Sequence, residues 1–318
     1  MTVPGAEWGI TMMTDHLQSG DSTACKAEIV SVSFRPRPLD EILPVLEDEA
    51  KKGGDLLLLP ETSLGNQTIV ETDGPECVAI SGIAEKYGVY IVFPVFRKTA
   101  RHGRLNSSIL FDRRGKISGI YDKAYPYWSE FDLEPPTFPG GETPVFTTDF
   151  GRIGLAICFD ANYPRVFRLL AEKGARLVLW SSAYSAATTL MAHALNHNYP
   201  IVTATWIPDC VAYDINGKEL FFRRGGEDEI FVNRIKLDLD RCIFHENFNM
   251  EKKDRLLAEH GGEIEMDTFM EREQWFTLRS KKEGVSARAL AAQYKMEELL
   301  AYKLRSEKEI DVKRGFKL

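Results

Sequence analysis

Between Ala27 and Leu237, short apolar and β-branched runs, each about the length of one strand, alternate with segments of helical period. That alternation restricts the chain to a layered α/β domain in which helices cover strands. Ala27 to Phe34 reads as the first strand, Leu39 to Lys52 as a helix closed by Gly53-Gly54, and Asp55 to Leu59 as the second strand. Glu76 to Tyr87 is helical and stops at Gly88. Val89 to Val95 is a strand, and Ser107 to Asp112 with Lys116 to Tyr121 forms a hairpin turning at Arg114-Gly115. Further on come the apolar run Ile153 to Ile157, a helix over Asn162 to Lys173, and strands at Ala175 to Ser181 and Ile201 to Thr205 flanking a helix at Leu190 to Asn196. A hairpin from Val211 to Phe222 turns at Asn216-Gly217, and Glu229 to Leu237 is the last strand.

From Lys123 to Pro144 the periodicity fails, and aromatic residues mix with prolines and glycines. A long irregular segment inside a compact domain reads as a binding loop, here a pocket wall. After His245 the composition changes again. The expected organisation is an N-terminal arm over 1–25, a main α/β domain over 26–245 and a helical C-terminal extension over 246–318. In that extension Glu246 to His260 and Ser286 to Ser306 are helical, the latter broken near Lys295.

A net charge of −7 gives no general reason to expect nucleic acid or an anionic membrane as partner, which leaves small molecules as the default. No apolar run is long enough to span a bilayer, and the first 25 residues lack the basic start and apolar stretch of a signal peptide. The five cysteines are scattered without paired short spacings, as expected of reduced thiols in a cytoplasmic protein.

Three chemistry-bearing residues sit at or just after strand ends: Glu61 after Leu56 to Leu59, Lys123 after Ile120 to Asp122, and Cys158 after Ile153 to Ile157. In an α/β sandwich strand ends converge on one edge, so an acid, a cation and a thiol can meet there. Those are the minimum parts of covalent acyl transfer. Glu61 can take the thiol proton and return it to a leaving amine. Lys123 can favour the thiolate and hold the oxyanion. A helix directly behind Cys158 would add the partial positive charge of its N-terminus.

Leu56-Leu57-Leu58-Leu59-Pro60-Glu61, Tyr121-Asp122-Lys123, and Gly151 to Pro164 around Cys158, followed by Gly174-Ala175, together resemble the nitrilase or carbon-nitrogen hydrolase superfamily. The resemblance covers roughly Ala27 to Leu237. It implies a four-layer α-β-β-α sandwich, a triad of Glu61, Lys123 and Cys158, and hydrolysis of a non-peptide C–N bond with no metal and no organic cofactor. It also implies that the backbone N–H of Phe159 helps Lys123 hold the oxyanion, and that a homodimer or larger homo-oligomer forms through the helix at Asn162 to Lys173. A second glutamate often precedes a Pro-Gly in the family and orients the lysine; Glu134, before Pro139-Gly140, matches best, with Glu130 as the competitor. By the same resemblance Asp160 braces the loop after Cys158.

True nitrilases of the superfamily typically follow the nucleophile with Trp-Glu, whereas Phe159-Asp160 and the later Pro164 look like the amidase and carbamoyl-hydrolase branches. The expected substrate is therefore a small amide or N-carbamoyl compound, with nitrile hydrolysis by the same triad as the alternative. Tyr125, Tyr127, Trp128, Trp180, Tyr184 and Trp206 are candidates for the pocket. The family's Arg-Ala-x-Glu-Asn element is replaced here by His193 to Asn198. His193 and His197 lie one helical turn apart, but without the glutamate of a His-Glu-x-x-His pattern they read as structural. A different class of reading comes from Ser286 to Ser306, which loosely resembles a helix-turn-helix. Lys281 to Leu318 carries ten Lys or Arg against six Asp or Glu, as a nucleic-acid-binding role of these helices would require.

Overall fold

The structure, a computed structural model, describes residues 26–100, 103–207, 209–226 and 228–316. The expected N-terminal arm lies outside the described residues. Two compact units part between Arg241 and Cys242.

The larger unit contains two sheets. The first half of the chain supplies β1 (Lys26–Ser33), α1 (Leu39–Lys51), β2 (Leu56–Leu58), β3 (Ile69–Val70), α2 (Pro75–Tyr87), β4 (Tyr90–Thr99), β5 (Gly103–Phe111), β6 (Ile117–Asp122) and β7 (Thr137–Phe138). The second half supplies β8 (Val145–Thr148), β9 (Gly151–Ile157), α3 (Pro164–Glu172), β10 (Leu177–Ser182), α4 (Ala187–His197), β11 (Ile201–Thr205), β12 (Asp209–Tyr213), β13 (Glu219–Arg224) and β14 (Phe231–Asp238). One sheet runs β14-β1-β2-β4-β5-β6, with β3 and β7 paired to β4 and β5. The other runs β13-β12-β11-β10-β9-β8.

Period-2 alternation explains the layering, because successive side chains of a strand point to opposite faces. Ala27 and Ile29 of β1 and Leu56 and Leu58 of β2 meet Leu155 and Ile157 of β9 and Leu177 and Leu179 of β10 between the sheets. Val30, Val32, Leu57 and the adjoining Leu59 point the other way, onto Ile42 and Leu46 of α1 and Ile80 and Ala84 of α2. These strands are apolar on both faces because both faces are covered. On the second sheet, a Cβ at Gly154 would come within 2.8 Å of the Leu170 side chain. Glycine there admits α3 against β9. The four-layer α-β-β-α sandwich is the result.

Strand direction brings the site together. β1, β2 and β4 are mutually parallel, while β5 reverses and β6 reverses again, so β6 runs with β2. In the other sheet β9, β10 and β11 are parallel. Buried serines tie the two sheets: Ser31 donates to the Thr203 carbonyl, Ser33 to that of Asp209 and Ser181 to that of Leu59, each at 2.7 Å.

Two expectations differ in detail. The helix read from Asn162 does not start directly behind Cys158: a 3₁₀ turn over Cys158–Asn162 intervenes and α3 begins at Pro164. Proline suits that first helical position, where its missing N–H removes a donor that would have no partner. The smaller unit, read as helical, also holds an antiparallel sheet. It contains β15 (Cys242–His245), α5 (Glu246–His260), β16 (Ile264–Met270), β17 (Trp275–Ser280), α6 (Ala287–Gln293) and α7 (Leu299–Lys313), with the strands ordered β15-β17-β16. Only Ile264 of β16 is buried, so the alternation that marks a strand is weak there. Phe244, Leu256, Phe276, Leu278, Ala291 and Met296 form this unit's own core. The break near Lys295 is real, with that residue at φ 56° between α6 and α7.

Candidate active site

Glu61 comes shortly after β2, Lys123 directly follows β6 and Cys158 directly follows β9, and all three line one cavity. Glu61 is buried and both its carboxylate oxygens are engaged. Oε1 accepts from Lys123 Nζ at 2.7 Å and from Asn106 Nδ2 at 2.8 Å, and Oε2 accepts from the backbone N–H of Ala183 at 3.1 Å. The Trp206 indole N–H donates to the Glu61 carbonyl. Thr62, the next residue, has φ 41°.

Lys123 is only 1% exposed and is held at both backbone groups, its N–H by the Asn106 carbonyl and its carbonyl by Gly140 N–H, each at 2.8 Å. Its ammonium also donates to Glu130 Oε1. Burial opposes charge on this lysine, but Glu61, Cys158 and Glu130 outweigh it and hold the group above the usual lysine range. Two carboxylates at the nitrogen thus favour the protonated ammonium.

Glu130, not Glu134, is the second carboxylate at the lysine. A short 3₁₀ turn over Trp128–Asp132 carries it inward. Glu130 N–H donates to the Tyr127 carbonyl, while Tyr127 N–H donates to Glu130 Oε1 at 2.8 Å. Glu134, four residues on, is exposed. The next carbonyl, that of Pro135, is occupied by Arg104. A loop without periodicity gives no register from which to tell these two carboxylates apart; the turn decides.

Cys158 is buried at φ 46°, a left-handed conformation that costs a non-glycine residue about 1–3 kcal/mol and is typical of functional sites. Burial, and after it Glu61, pushes the thiol above the usual cysteine range, with Lys123 and the Ala183 N–H pulling the other way. Trp180 is fully buried and donates its indole N–H to the Cys158 carbonyl at 3.2 Å. Asp160 accepts from the Tyr121 hydroxyl at 2.7 Å, from Ile157 N–H at 2.9 Å and from Tyr125 N–H at 3.0 Å. It therefore braces the turn after the thiol. Burial, opposed by those hydrogen bonds, pushes its carboxyl up to about 6.

Glu61, Asn106, Lys123, Glu130, Cys158 and Phe159 open into one cavity of about 550 Å³. Of the six aromatic candidates, Tyr127, Tyr184 and Trp206 line it. Trp180 is fully buried on the Cys158 carbonyl, Trp128 is exposed, and Tyr125 stacks on Tyr163 at 3.6 Å between ring centroids. Asn106 and Ala183 went unread in the sequence. The hairpin reading began at Ser107, whereas β5 begins at Gly103. Carrying the alternation back by one residue sets Asn106 opposite Lys123.

His193 is buried, stacks on Phe167 at 3.8 Å and bonds the Ala161 carbonyl at 2.8 Å. Among the described residues no group of three or more His, Cys, Asp or Glu side chains is arranged to hold a metal, and no helix is long and apolar enough to cross a membrane. In the smaller unit the basic excess is partly neutralised by ion pairs of Arg288 with Glu298, Arg305 with Glu297 and Glu309, and Arg314 with Asp311.

A family model for carbon-nitrogen hydrolase matches residues 34–237. Among curated proteins, a probable nitrilase of Schizosaccharomyces pombe is 30% identical over 174 residues, spanning 49% of this chain and 62% of that protein. A deaminated glutathione amidase of Yersinia enterocolitica is 26% identical over 195 residues, spanning 52% and 68%. Among solved structures, a carbon-nitrogen hydrolase from Helicobacter pylori G27 has a TM-score of 0.59 at 19% identity, covering 68% of this chain and 90% of that one. Saccharomyces cerevisiae Nit3, a member of branch 10 of the nitrilase superfamily, also has a TM-score of 0.59 at 19% identity, covering 73% and 96%. At such identity the likeness is one of fold.

Proposed function

The chain belongs to the carbon-nitrogen hydrolase family, and we propose that it hydrolyses a small amide or N-carbamoyl compound through a thioester on Cys158. The observation that carries this reading is the buried cluster of Glu61, Lys123 and Glu130 opening, with Cys158, into one cavity. Glu61 accepts the thiol proton as Sγ attacks the carbonyl carbon. The oxyanion that forms is held by the Lys123 ammonium and the Phe159 N–H. Glu61 then returns the proton to the leaving nitrogen, which departs as ammonia or an amine. Water, activated by the same carboxylate, cleaves the thioester to the acid and restores the thiol. Glu130, in place of Glu134, orients the lysine.

A lysine favoured in its protonated form suits this chemistry, since it stabilises the oxyanion without having to give up a proton. A glutamate-to-glutamine mutant of an amidase from Nesterenkonia sp., at TM-score 0.56 and 20% identity, carries the Michael addition product of acrylamide at its active-site cysteine, an alkylation that supports a nucleophilic cysteine in a protein of this fold. Phe159-Asp160 after the nucleophile supports an amide over a nitrile. The test is incubation with a panel of amides, N-carbamoyl compounds and nitriles, following ammonia and the mass of the Cys158 peptide. Ammonia release with a trapped acyl adduct on Cys158 is expected. Release from nitriles alone would reassign the substrate, and a silent panel with Cys158 inert to alkylation would end the enzyme reading.

The working state in this reading is a homodimer or larger homo-oligomer joined through α3, which the family resemblance supports. Sedimentation equilibrium giving a monomer would overturn it. The free, buried thiols of Cys77, Cys158, Cys210 and Cys242 support a reducing compartment such as the cytoplasm.

A further inference from the structure

We infer that Asn106 is a positioning residue for the proposed reaction: it closes a hydrogen-bonded ring around Lys123 and thereby selects which oxygen of Glu61 moves the proton. This rests on the reading of Glu61, Lys123 and Cys158 given above. Pairing of β5 with β6 sets Ser107 opposite Asp122. One residue further, Asn106 lies opposite Lys123 and accepts its backbone N–H at 2.8 Å. Residues directly opposite in an antiparallel pair share a face. The Asn106 amide and the Lys123 ammonium therefore reach the same two carboxylates.

The amide nitrogen has two N–H groups and both are used, one on Glu61 Oε1 at 2.8 Å and one on Glu130 Oε2 at 2.9 Å. Lys123 donates to Glu61 Oε1 and to Glu130 Oε1. The four side chains thus form a closed ring in which a cation and a neutral amide hold two carboxylates. The amide cannot turn over, because its oxygen would then face two anionic oxygens. The consequence is visible on its other side, where Asn106 Oδ1 is buried without a partner. An orphaned buried acceptor costs free energy, and here the cost accompanies the placement of the nitrogen between the carboxylates.

Lone pairs then assign the proton. A carboxylate oxygen accepts about two hydrogen bonds. Lys123 and Asn106 fill Glu61 Oε1, whereas Oε2 accepts from Ala183 N–H and has room for one more donor. The Cys158 Sγ–H bond therefore breaks toward Oε2, leaving the electron pair on sulfur for the new S–C bond. Aspartate at 106 would set a third carboxylate against the other two, and serine would keep only one donor.

The test uses the full-length protein with Asn106→Ala, Asn106→Ser and Asn106→Asp, each checked for its thermal transition. With an amide from the panel that the wild type turns over, kcat is expected to fall about 100-fold in Asn106→Ala with KM changed by less than about threefold, the mark of misplacement rather than lost binding. Asn106→Ser should lie between it and the wild type. The loss in the Asn106→Ala, Glu130→Gln double variant should be smaller than the product of the single losses. Alkylation of Cys158 by iodoacetamide, which needs no substrate, is expected to slow about tenfold in Asn106→Ala and further in Asn106→Asp. A folded Asn106→Ala with wild-type kcat and alkylation rate overturns the inference, as does a fully multiplicative double variant. A wild type silent on every substrate counts against the proposed function. The alkylation series still decides Asn106 in that case, with Asn106→Ser read in place of Asn106→Ala if the alanine variant does not fold.

Discussion

Glu130 and Glu134 stand four positions apart in the same aperiodic loop, yet one is buried against an ammonium and the other faces solvent. The difference is one turn of 3₁₀ helix in which Tyr127 N–H captures the Glu130 carboxylate. Substituting the two should therefore separate them. Glu130→Gln is expected to cut kcat about 100-fold or more, and to cost about 3–5 kcal/mol of stability, because a buried lysine loses one of its two counter-charges. Glu134→Gln should stay within about twofold of wild type in activity and within about 0.5 kcal/mol in stability. Steady-state kinetics and denaturant melts of the two variants give the comparison. Equal losses would return the role to Glu134.

At the scale of single elements, the turn after β9 and the loop after β6 each depend on one residue. Asp160 ties Cys158–Asn162 to Tyr121 and Tyr125, and burial raises its carboxyl to about 6. A folded-state value raised above the unfolded one means the protonated form is favoured on folding. That contribution is complete below about pH 4, the ordinary aspartate range, and is lost as pH rises through about 6. The excess in melting temperature of wild type over Asp160→Asn should accordingly shrink between about pH 4 and pH 6; an excess that grows across this window would contradict the raised value. In the loop, a Cβ on Gly140 would sit 2.2 Å from the Asp122 carbonyl oxygen, beside Lys123. Gly140→Ala must move backbone to relieve that clash. A loss of about 1–3 kcal/mol by denaturant melt should accompany a roughly tenfold fall in kcat, since small misplacements of catalytic groups are costly.

For the larger unit as a whole, register between the two sheets is as important as packing within them. Apolar side chains fill the interface without direction, whereas the hydroxyls of Ser31, Ser33 and Ser181 each reach one particular carbonyl of the opposite layer. Removing one leaves a buried carbonyl short of a donor, at about 1–3 kcal/mol. Ser31→Ala and Ser33→Ala should lower stability with activity nearly intact. Ser181→Ala should lower both, because its partner Leu59 stands two residues before Glu61. Thermal melts paired with kinetics test this, and three variants alike in activity would show the pins to be interchangeable.

Periodicity within a few residues marked the strands and helices of the sandwich, and the ends of apolar strands marked Glu61, Lys123 and Cys158 without any knowledge of their neighbours. Those signals are local, so the sequence carried them by itself. The weakly alternating β16 was not legible in the same way, because only one of its residues is buried. The tertiary structure alone decided that Glu130 rather than Glu134 joins the lysine, that Asn106 completes the ring, and that Cys158 takes a left-handed backbone. Asn106 meets Glu61 across 45 positions of sequence and Lys123 meets it across 62. Contacts of that span follow from how strands are ordered and directed in two sheets, and no local pattern of residues encodes them.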